Sequence, residues 1–301
     1  MNVLSLFDGM SCGQLALTQL GIKIDKYYAS EIDKYAIQIT QKNFPDTIQL
    51  GNVTKLDLST LPKIDLVMGG SPCQGFSFAG NQLAFDDPRS ALFFEFHKAI
   101  SYLQPKYFLL ENVKMKKEYL DIISEYMGVG PIFINSSLVS AQSRQRYYWT
   151  NVPNVEQPEE RGIVIRDILE TTVDAKLENN KSHKPQHIGT AVDIKGHDQI
   201  KRVYSPDGKS PTVTTCGGGH REPKVVVNNV TSSTNNDHKI ILTRDPNQEV
   251  YWRKLTPLEC ERLQTVPDNY TEGVSNTQRY KMLGNGWTIE VIKHILKNII
   301  N

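Results

Sequence analysis

The sequence predicts an α/β fold: a doubly wound, mostly parallel sheet followed by a second, smaller and irregular domain. Three observations predict it. Short apolar runs alternate with helix-like stretches through residues 1–150, as βαβ units do. That alternation fades from Asn151, where Gly, Pro, Ser, Thr and Asn become frequent. Helical periodicity then returns at the C-terminus. The expected divisions are residues 1–152, 153–250 and 251–301, the last returning to the first domain.

Residues 3–7 are apolar enough for a buried strand, and 13–20 continue as a helix. Residues 26–30 read as a second strand and 34–43 as a second helix. Residues 64–68 form a continuous apolar run ending in Gly69-Gly70, which suits a buried strand and its exit turn. Residues 91–103 are helix-like. Residues 107–110 form a strand running into Glu111, and 132–134 and 146–150 add two more. Ile289, Ile292, Ile295, Leu296 and Ile299 recur at helical spacing, so the chain closes on an amphipathic helix. Parallel sheets bind ligands beyond the C-terminal ends of their strands. The distinctive residues of the first half fall at those ends.

Composition excludes several classes. No run approaches the roughly 20 apolar residues that span a bilayer. The N-terminus lacks the charged start and cleavage site of a signal peptide, so the expected location is the cytoplasm. Four cysteines, Cys12, Cys73, Cys216 and Cys260, are widely spaced with no ligand-spaced histidine, which argues against a disulfide framework or a metal site. The net charge is +1, but its distribution is uneven: residues 151–180 carry 3 Lys and Arg against 7 Asp and Glu, and residues 181–224 carry 8 against 4. A locally basic segment is either a solvated loop or the footprint of phosphate binding.

Four motifs carry chemistry. In Gly69-Gly70-Ser71-Pro72-Cys73-Gln74-Gly75 a cysteine sits past a buried strand, held by proline and ringed by glycines. A loop there exposes a thiol, whereas a structural cysteine belongs inside the apolar run. In Leu110-Glu111-Asn112-Val113 a carboxylate at a strand end is partly desolvated, which raises its pKa and suits it to sharing a proton. In Gln142-Ser143-Arg144-Gln145-Arg146 two guanidinium groups share one face of an extended segment and can orient a carboxylate or phosphate. Phe7-Asp8-Gly9-Met10-Ser11 is a small-residue turn between strand and helix, followed by Glu31 at the offset of a ribose-binding acid. It lacks a phosphate-loop signature, which suggests an adenosine-type ligand without a pyrophosphate.

The order and combination of these motifs resemble the DNA (cytosine-5)-methyltransferase family, over nearly the whole chain. Phe7-Asp8-Gly9, Glu31, Ser71-Pro72-Cys73-Gln74, residues 87–94, Glu111-Asn112-Val113, Gln142-x-Arg144-x-Arg146, residues 253–264 and Tyr280-Lys281-Met282-Leu283-Gly284-Asn285-Gly286 each resemble a family signature. Bacterial and phage enzymes look most similar, and Phe7-Asp8-Gly9, Glu31 and Trp287 also resemble the animal de novo enzymes. The resemblance implies the Rossmann-like S-adenosylmethionine-dependent methyltransferase fold with a target-recognition domain. It implies that Cys73, Glu111, Arg144 and Arg146 act in catalysis, and that Phe7, Asp8, Gly9, Ser11, Glu31, Ile32, Asn52, Val53, Pro72, Leu92, Asn285 and Trp287 bind S-adenosylmethionine. It places Gln74, Gln142 and Thr212 at double-stranded DNA. Two departures stand out. Asn52 replaces the usual aspartate facing the adenine, where its amide oxygen can accept from the amino group. Ser11-Cys12 stands where two glycines are common.

Carbon 5 of cytosine becomes nucleophilic once a thiolate adds to carbon 6, which requires a target flipped out of the duplex. Three alternatives remain at this level. An RNA cytosine-5-methyltransferase of the same family shares the motifs. An adenine amino-methyltransferase would need an Asp/Asn-Pro-Pro-Tyr/Phe loop and no nucleophile. A non-catalytic DNA-binding relic would lack Cys73, Glu111 or the arginines. The expected state is a monomer in a bacterial host, with a cognate restriction endonuclease as a candidate partner if the gene is cellular.

Overall fold

The computed structural model describes residues 1–71, 91–170, 181–192, 194–227, 239–242 and 250–299. The chain divides into two compact units, Met1–Asn135 with Gln145–Pro158 and Ile289–Asn301, and Ser136–Arg144 with Glu159–Thr288. The return to the first unit thus comes at Ile289, not at the expected residue 251.

The first unit is built on a seven-stranded sheet of order β3-β2-β1-β4-β5-β7-β6. Its strands are β1 (Asn2–Leu6), β2 (Lys26–Ser30), β3 (Ile48–Gln49), β4 (Leu66–Gly69), β5 (Tyr107–Val113), β6 (Ile132–Asn135) and β7 (Gln145–Thr150). Neighbours from β3 to β5 run parallel, and β7 lies antiparallel between β5 and β6. The connecting helices are α1 (Cys12–Gln19), α2 (Lys34–Asn43), α3 (Ala91–Leu103) and α4 (Lys117–Met127). Strands β1 and β4 are buried almost throughout, as the central strands of a parallel sheet are. Leu4, Leu6, Val67, Phe93, Phe96, Leu110, Ile123 and Trp149 form the core between sheet and helices. The last residue of β4 is a glycine because a Cβ on Gly69 would stand 2.9 Å from both the Leu6 carbonyl oxygen and the Phe96 ring.

Strand ends differ from the sequence reading in two informative places. Phe7 lies outside β1, since its φ of 58° breaks the extended chain and opens the turn. Strand β5 runs through Glu111 to Val113, because Glu111 pairs with Tyr148 of β7 instead of ending the ladder. Helix α2 begins where Asp33 accepts a hydrogen bond from the Tyr35 amide at 3.0 Å. Helix α4 stops at Gly128, with φ 67°.

The second unit holds a closed barrel of order β10-β12-β11-β8-β9, formed by β8 (His187–Ala191), β9 (Arg202–Tyr204), β10 (Lys224–Val227), β11 (Lys239–Leu242) and β12 (Val250–Lys254). The sequence reads as irregular because each of these strands is too short to display an alternation, and the stretches between them are rich in Gly and Asn. Ala191, Ile194, Val203, Val226 and Trp252 fill its small core. Helices α5 (Asp198–Lys201), α6 (Pro257–Leu263) and α7 (Asn276–Asn285) complete the unit. A reciprocal cap between Thr256 and Glu259, with Pro257 at the first position, starts α6. Helix α8 (Ile289–Leu296) belongs to the first unit and packs against α1, burying Ile289, Val291, Ile292, Ile295 and Leu296. Among the described residues no helix is long and apolar enough to cross a membrane.

Candidate active site

The strand order reverses between β1 and β4, and a crevice of this kind beyond the strand ends is where doubly wound sheets bind ligands. The turn leaving β1 is built there. Phe7, Gly9 and Ser11 all have positive φ, 58°, 59° and 60°. Asp8 anchors this strained turn from inside. It accepts from the Tyr27 hydroxyl at 2.8 Å and from the Ser11 hydroxyl. Burial pushes the Asp8 carboxyl up to about 6, against the opposing pull of the hydrogen bonds from Ser11, Ser5 and Tyr27, while Glu31 adds to the rise. Asp8 is therefore a buried anchor of the turn.

Glu31 follows β2 and is spent largely on the backbone. Its Oε2 accepts from the Gly9 amide at 2.8 Å, and its Oε1 accepts from the Ile32 and Asp33 amides at 2.7 and 2.8 Å. One lone-pair direction of the four on a carboxylate is then left for a ligand. Ile32 is 75% exposed beside it, an unusual position for a large apolar residue. Val53 is buried in the cluster against which Phe7 and Leu92 pack. Asn52 is exposed and caps the short turn Val53–Lys55, its Oδ1 taking both the Thr54 amide and the Thr54 hydroxyl at 3.0 Å. That oxygen already accepts two hydrogen bonds, which leaves the amide nitrogen as the donor Asn52 presents.

Strand β4 leads into Ser71, whose hydroxyl accepts from Asn112 Nδ2 at 3.3 Å. Pro72, Cys73 and Gln74 follow directly and lie outside the described residues. On the adjacent β5, Glu111 is buried and its Oε1 stands 2.6 Å from Arg146 Nε on β7. This is an ion pair without the alignment of a hydrogen bond. Arg146 Nη1 donates to the Gln145 carbonyl at 2.8 Å. The sheet thus brings a carboxylate and a guanidinium from distant sequence positions together, next to the strand whose exit carries the cysteine motif.

Arg144 and Gln142 serve other partners within the second unit. The Arg144 guanidinium is buried and donates to the carbonyls of Val213 at 3.3 Å, Gly284 at 3.1 Å and Gly286 at 2.9 Å. Arg144 precedes β7 and donates to these carbonyls, whereas Arg146 stands on β7 beside Glu111. Gln142 is fully buried. Its Nε2 donates to Leu263 and Gln264, and its Oε1 accepts from the Val213 amide at 2.7 Å. Its side-chain amide thus ties Val213 to Leu263 and Gln264. The Thr212 hydroxyl is partly exposed and donates to the Ser143 carbonyl at 2.7 Å. Asn285 is exposed at the end of α7 and Trp287 is buried, both in the second unit. Sequence reasoning missed Tyr27 and Lys209, since nothing local distinguishes a buried tyrosine or lysine from an ordinary one, and it passed over Asn112 as a neighbour of Glu111.

The basic stretch 181–224 is also sorted by the structure. Lys181, Lys184, Lys195, Arg202 and Arg221 are exposed. Lys209 and Lys224 are buried, and Lys224 Nζ donates to the His220 and Glu222 carbonyls at 2.5 and 2.9 Å. Those two cannot reach a phosphate.

An open sheet of this order, with a tight turn after β1 and an acid after β2, defines the Rossmann-like class of S-adenosylmethionine-dependent methyltransferases. The methyltransferase EhMeth of Entamoeba histolytica superposes with a TM-score of 0.74 at 18% identity, over 100% of this chain and 98% of that one. Sequence comparison goes further. The orphan methyltransferase M.SPBetaI of Bacillus phage SPbeta is 29% identical, over 100% of this chain and 98% of the relative. The type II methyltransferase M1.ScrFI of Lactococcus lactis subsp. cremoris is 31% identical, over 99% of this chain and 78% of the relative. The chain matches the C-5 cytosine-specific DNA methylase family over residues 1–125 and 135–301, and it belongs to that family. Membership makes it a C-5 cytosine methyltransferase and implies S-adenosylmethionine as methyl donor.

Proposed function

We propose that this enzyme methylates carbon 5 of a flipped-out cytosine at a specific site in double-stranded DNA, through a covalent bond to Cys73. The observation that carries the reading is the Glu111–Arg146 pair, buried on β5 and β7 beside the strand that exits into Ser71-Pro72-Cys73-Gln74. The other cysteines support it by contrast. Cys12, Cys216 and Cys260 are buried, and burial pushes the thiols of Cys216 and Cys260 up, well up for Cys260, which keeps them protonated and inert.

In this reading the Cys73 thiolate adds to carbon 6 of the ring, and the electron pair moves through carbon 5. Glu111 holds or supplies the proton at ring nitrogen 3, where charge would otherwise develop. Arg146 fixes the Glu111 carboxylate at 2.6 Å and so sets its aim. Carbon 5 takes the methyl group, a base removes its proton, and the thiolate leaves with the ring restored. The Phe7–Ser11 turn, Glu31, Ile32 and the Phe7, Val53 and Leu92 cluster fit an adenosine-type ligand: one polar acceptor beside apolar surface. S-adenosylmethionine bound there supplies an electrophilic methyl group. Residues 153–250 act as the target-recognition domain, with the exposed cations of 181–224 on phosphate and Thr212 near the DNA. In this reading Asn285 and Trp287 also contact the cofactor, as the resemblance of residues 280–286 to a family signature implies.

The test uses duplex DNA carrying 5-fluorocytosine at the mapped target. Fluorine replaces the proton that must leave, so the enzyme stays attached. The expected result is an adduct that survives denaturing electrophoresis, requires S-adenosylmethionine and maps to the Cys73 peptide, and that Cys73→Ser abolishes. An adduct on another cysteine, or robust methylation by Cys73→Ser, refutes the mechanism. Methylation of RNA in preference to DNA refutes the substrate.

A further inference from the structure

Lys209 is fully buried in the second unit. Its ammonium donates to three main-chain carbonyls: Ser137 at 2.7 Å, Ser140 at 3.1 Å and Ile163 at 2.5 Å. A lysine has three N–H donors, and all three are used. None goes to a carboxylate; Glu160 and Asp167 act on it only from a distance. Burying a charge this way costs stability, and burial accordingly lowers the lysine's pKa. An apolar residue would avoid that cost but would leave three buried carbonyls without donors. What the charge gains is a fixed meeting of separate stretches of chain at one ammonium.

The segment after Lys209 shows what that meeting controls. Ser210 N donates to the Ala141 carbonyl at 2.7 Å, and Ser143 N donates to the Ser210 carbonyl at 2.8 Å. Thr212 Oγ1 then bonds Ser143, Val213 N bonds Gln142, and Arg144 bonds the Val213 carbonyl. At the far end Gly284 lies so close that a Cβ on it would stand 2.2 Å from the Thr214 carbonyl. Residues 209–214 are therefore held at one end by the ammonium and at the other by Gly284, with a ladder of bonds between. Beyond them Thr214, Thr215 and residues 217–221 are exposed.

We propose that Lys209 is a positioning residue for DNA recognition: its ammonium ties Ser137, Ser140 and Ile163 to residues 209–213 and thereby sets where Thr212 and the exposed tip that follows meet the target. The proposal rests on the assignment of this unit to DNA recognition. Loss of the clamp is expected to loosen DNA engagement while leaving the cofactor contacts of the first unit, the Phe7–Ser11 turn and Glu31, in place.

The experiment compares the full-length wild type with Lys209→Met, which keeps the unbranched chain as far as Cε and removes the donors, and with Lys209→Ala supplied with n-propylammonium, which replaces the missing atoms. Lys209→Met should raise KM for target DNA at least tenfold with kcat within threefold. Its Ser143, Ser210 and Val213 amides should exchange hydrogen at least tenfold faster. In Lys209→Ala, n-propylammonium should restore both the KM and the amide protection, and tetramethylammonium, which has no N–H, should restore neither. A Met variant with wild-type KM and exchange overturns the proposal. So does equal rescue by tetramethylammonium, or amine that restores folding without the KM. If the Met variant does not fold, the Ala variant decides; if neither folds with amine, Lys209 only holds the fold and the positioning role is wrong. A wild type that does not methylate DNA sinks the functional reading instead, and the exchange data then judge the clamp alone.

Discussion

Replacing Glu31 by alanine removes the one carboxylate at the end of β2, and the structure bounds what that can cost. Three of its four acceptor directions already serve Gly9, Ile32 and Asp33 at 2.7–2.8 Å. At most one remains for a ribose hydroxyl. One charged hydrogen bond contributes roughly 1.5–3 kcal/mol, so direct loss should weaken S-adenosylmethionine binding about 10- to 150-fold. The bond to Gly9 also holds the turn that carries Phe7, which moves the expectation toward the upper end. Glu31→Gln should be no milder, because its new amide donor must face one of the same backbone donors. Titration calorimetry on variants checked for folding by circular dichroism measures this. A folded Glu31→Ala with unchanged affinity would remove Glu31 from the cofactor site, and a loss well beyond about 150-fold would mean that the turn itself had collapsed.

Two further outcomes are expected. Asp8 has a folded pKa raised to about 6, above its ordinary value of 3.8, so its contribution to stability is fully present below about pH 4 and is lost as pH rises through 6. Asp8→Asn should therefore melt higher than wild type at pH 7–8, with the difference shrinking as pH falls toward 4; a gain that does not vary with pH would show that Asp8 ionisation is not the cause. Neutralising Lys181, Lys184, Lys195, Arg202 and Arg221 together should flatten the dependence of DNA affinity on salt, by about 0.9 in slope for each phosphate no longer neutralised, while Lys224→Ala should lower the melting temperature and leave the slope alone. An unchanged slope in the fivefold variant would place the phosphate-binding cations elsewhere.

The sequence by itself determined the parts that depend on local order. Strands β1, β2 and β4 and helices α2, α3 and α8 were legible because burial on both faces, or on one stripe, imposes a period that residues 2–6, 34–43 and 289–296 display directly. The cysteine motif, Glu31 and Glu111 stand out in the sequence as candidates because chemistry beyond apolar runs requires particular residue types at particular places. Only the tertiary structure decided which of these groups meet. Arg144 and Arg146 look equivalent at two residues' spacing, yet one pairs with Glu111 across β5 and β7 and the other is consumed by Val213, Gly284 and Gly286. The partner of a charged side chain is set by long-range register, which no local pattern encodes. The same holds for the basic stretch, where a lysine in solvent and one buried against three carbonyls are the same letter. The barrel of the second unit was invisible for a related reason: strands of three to five residues bury too few side chains to establish a period, and their order comes from pairing across the chain.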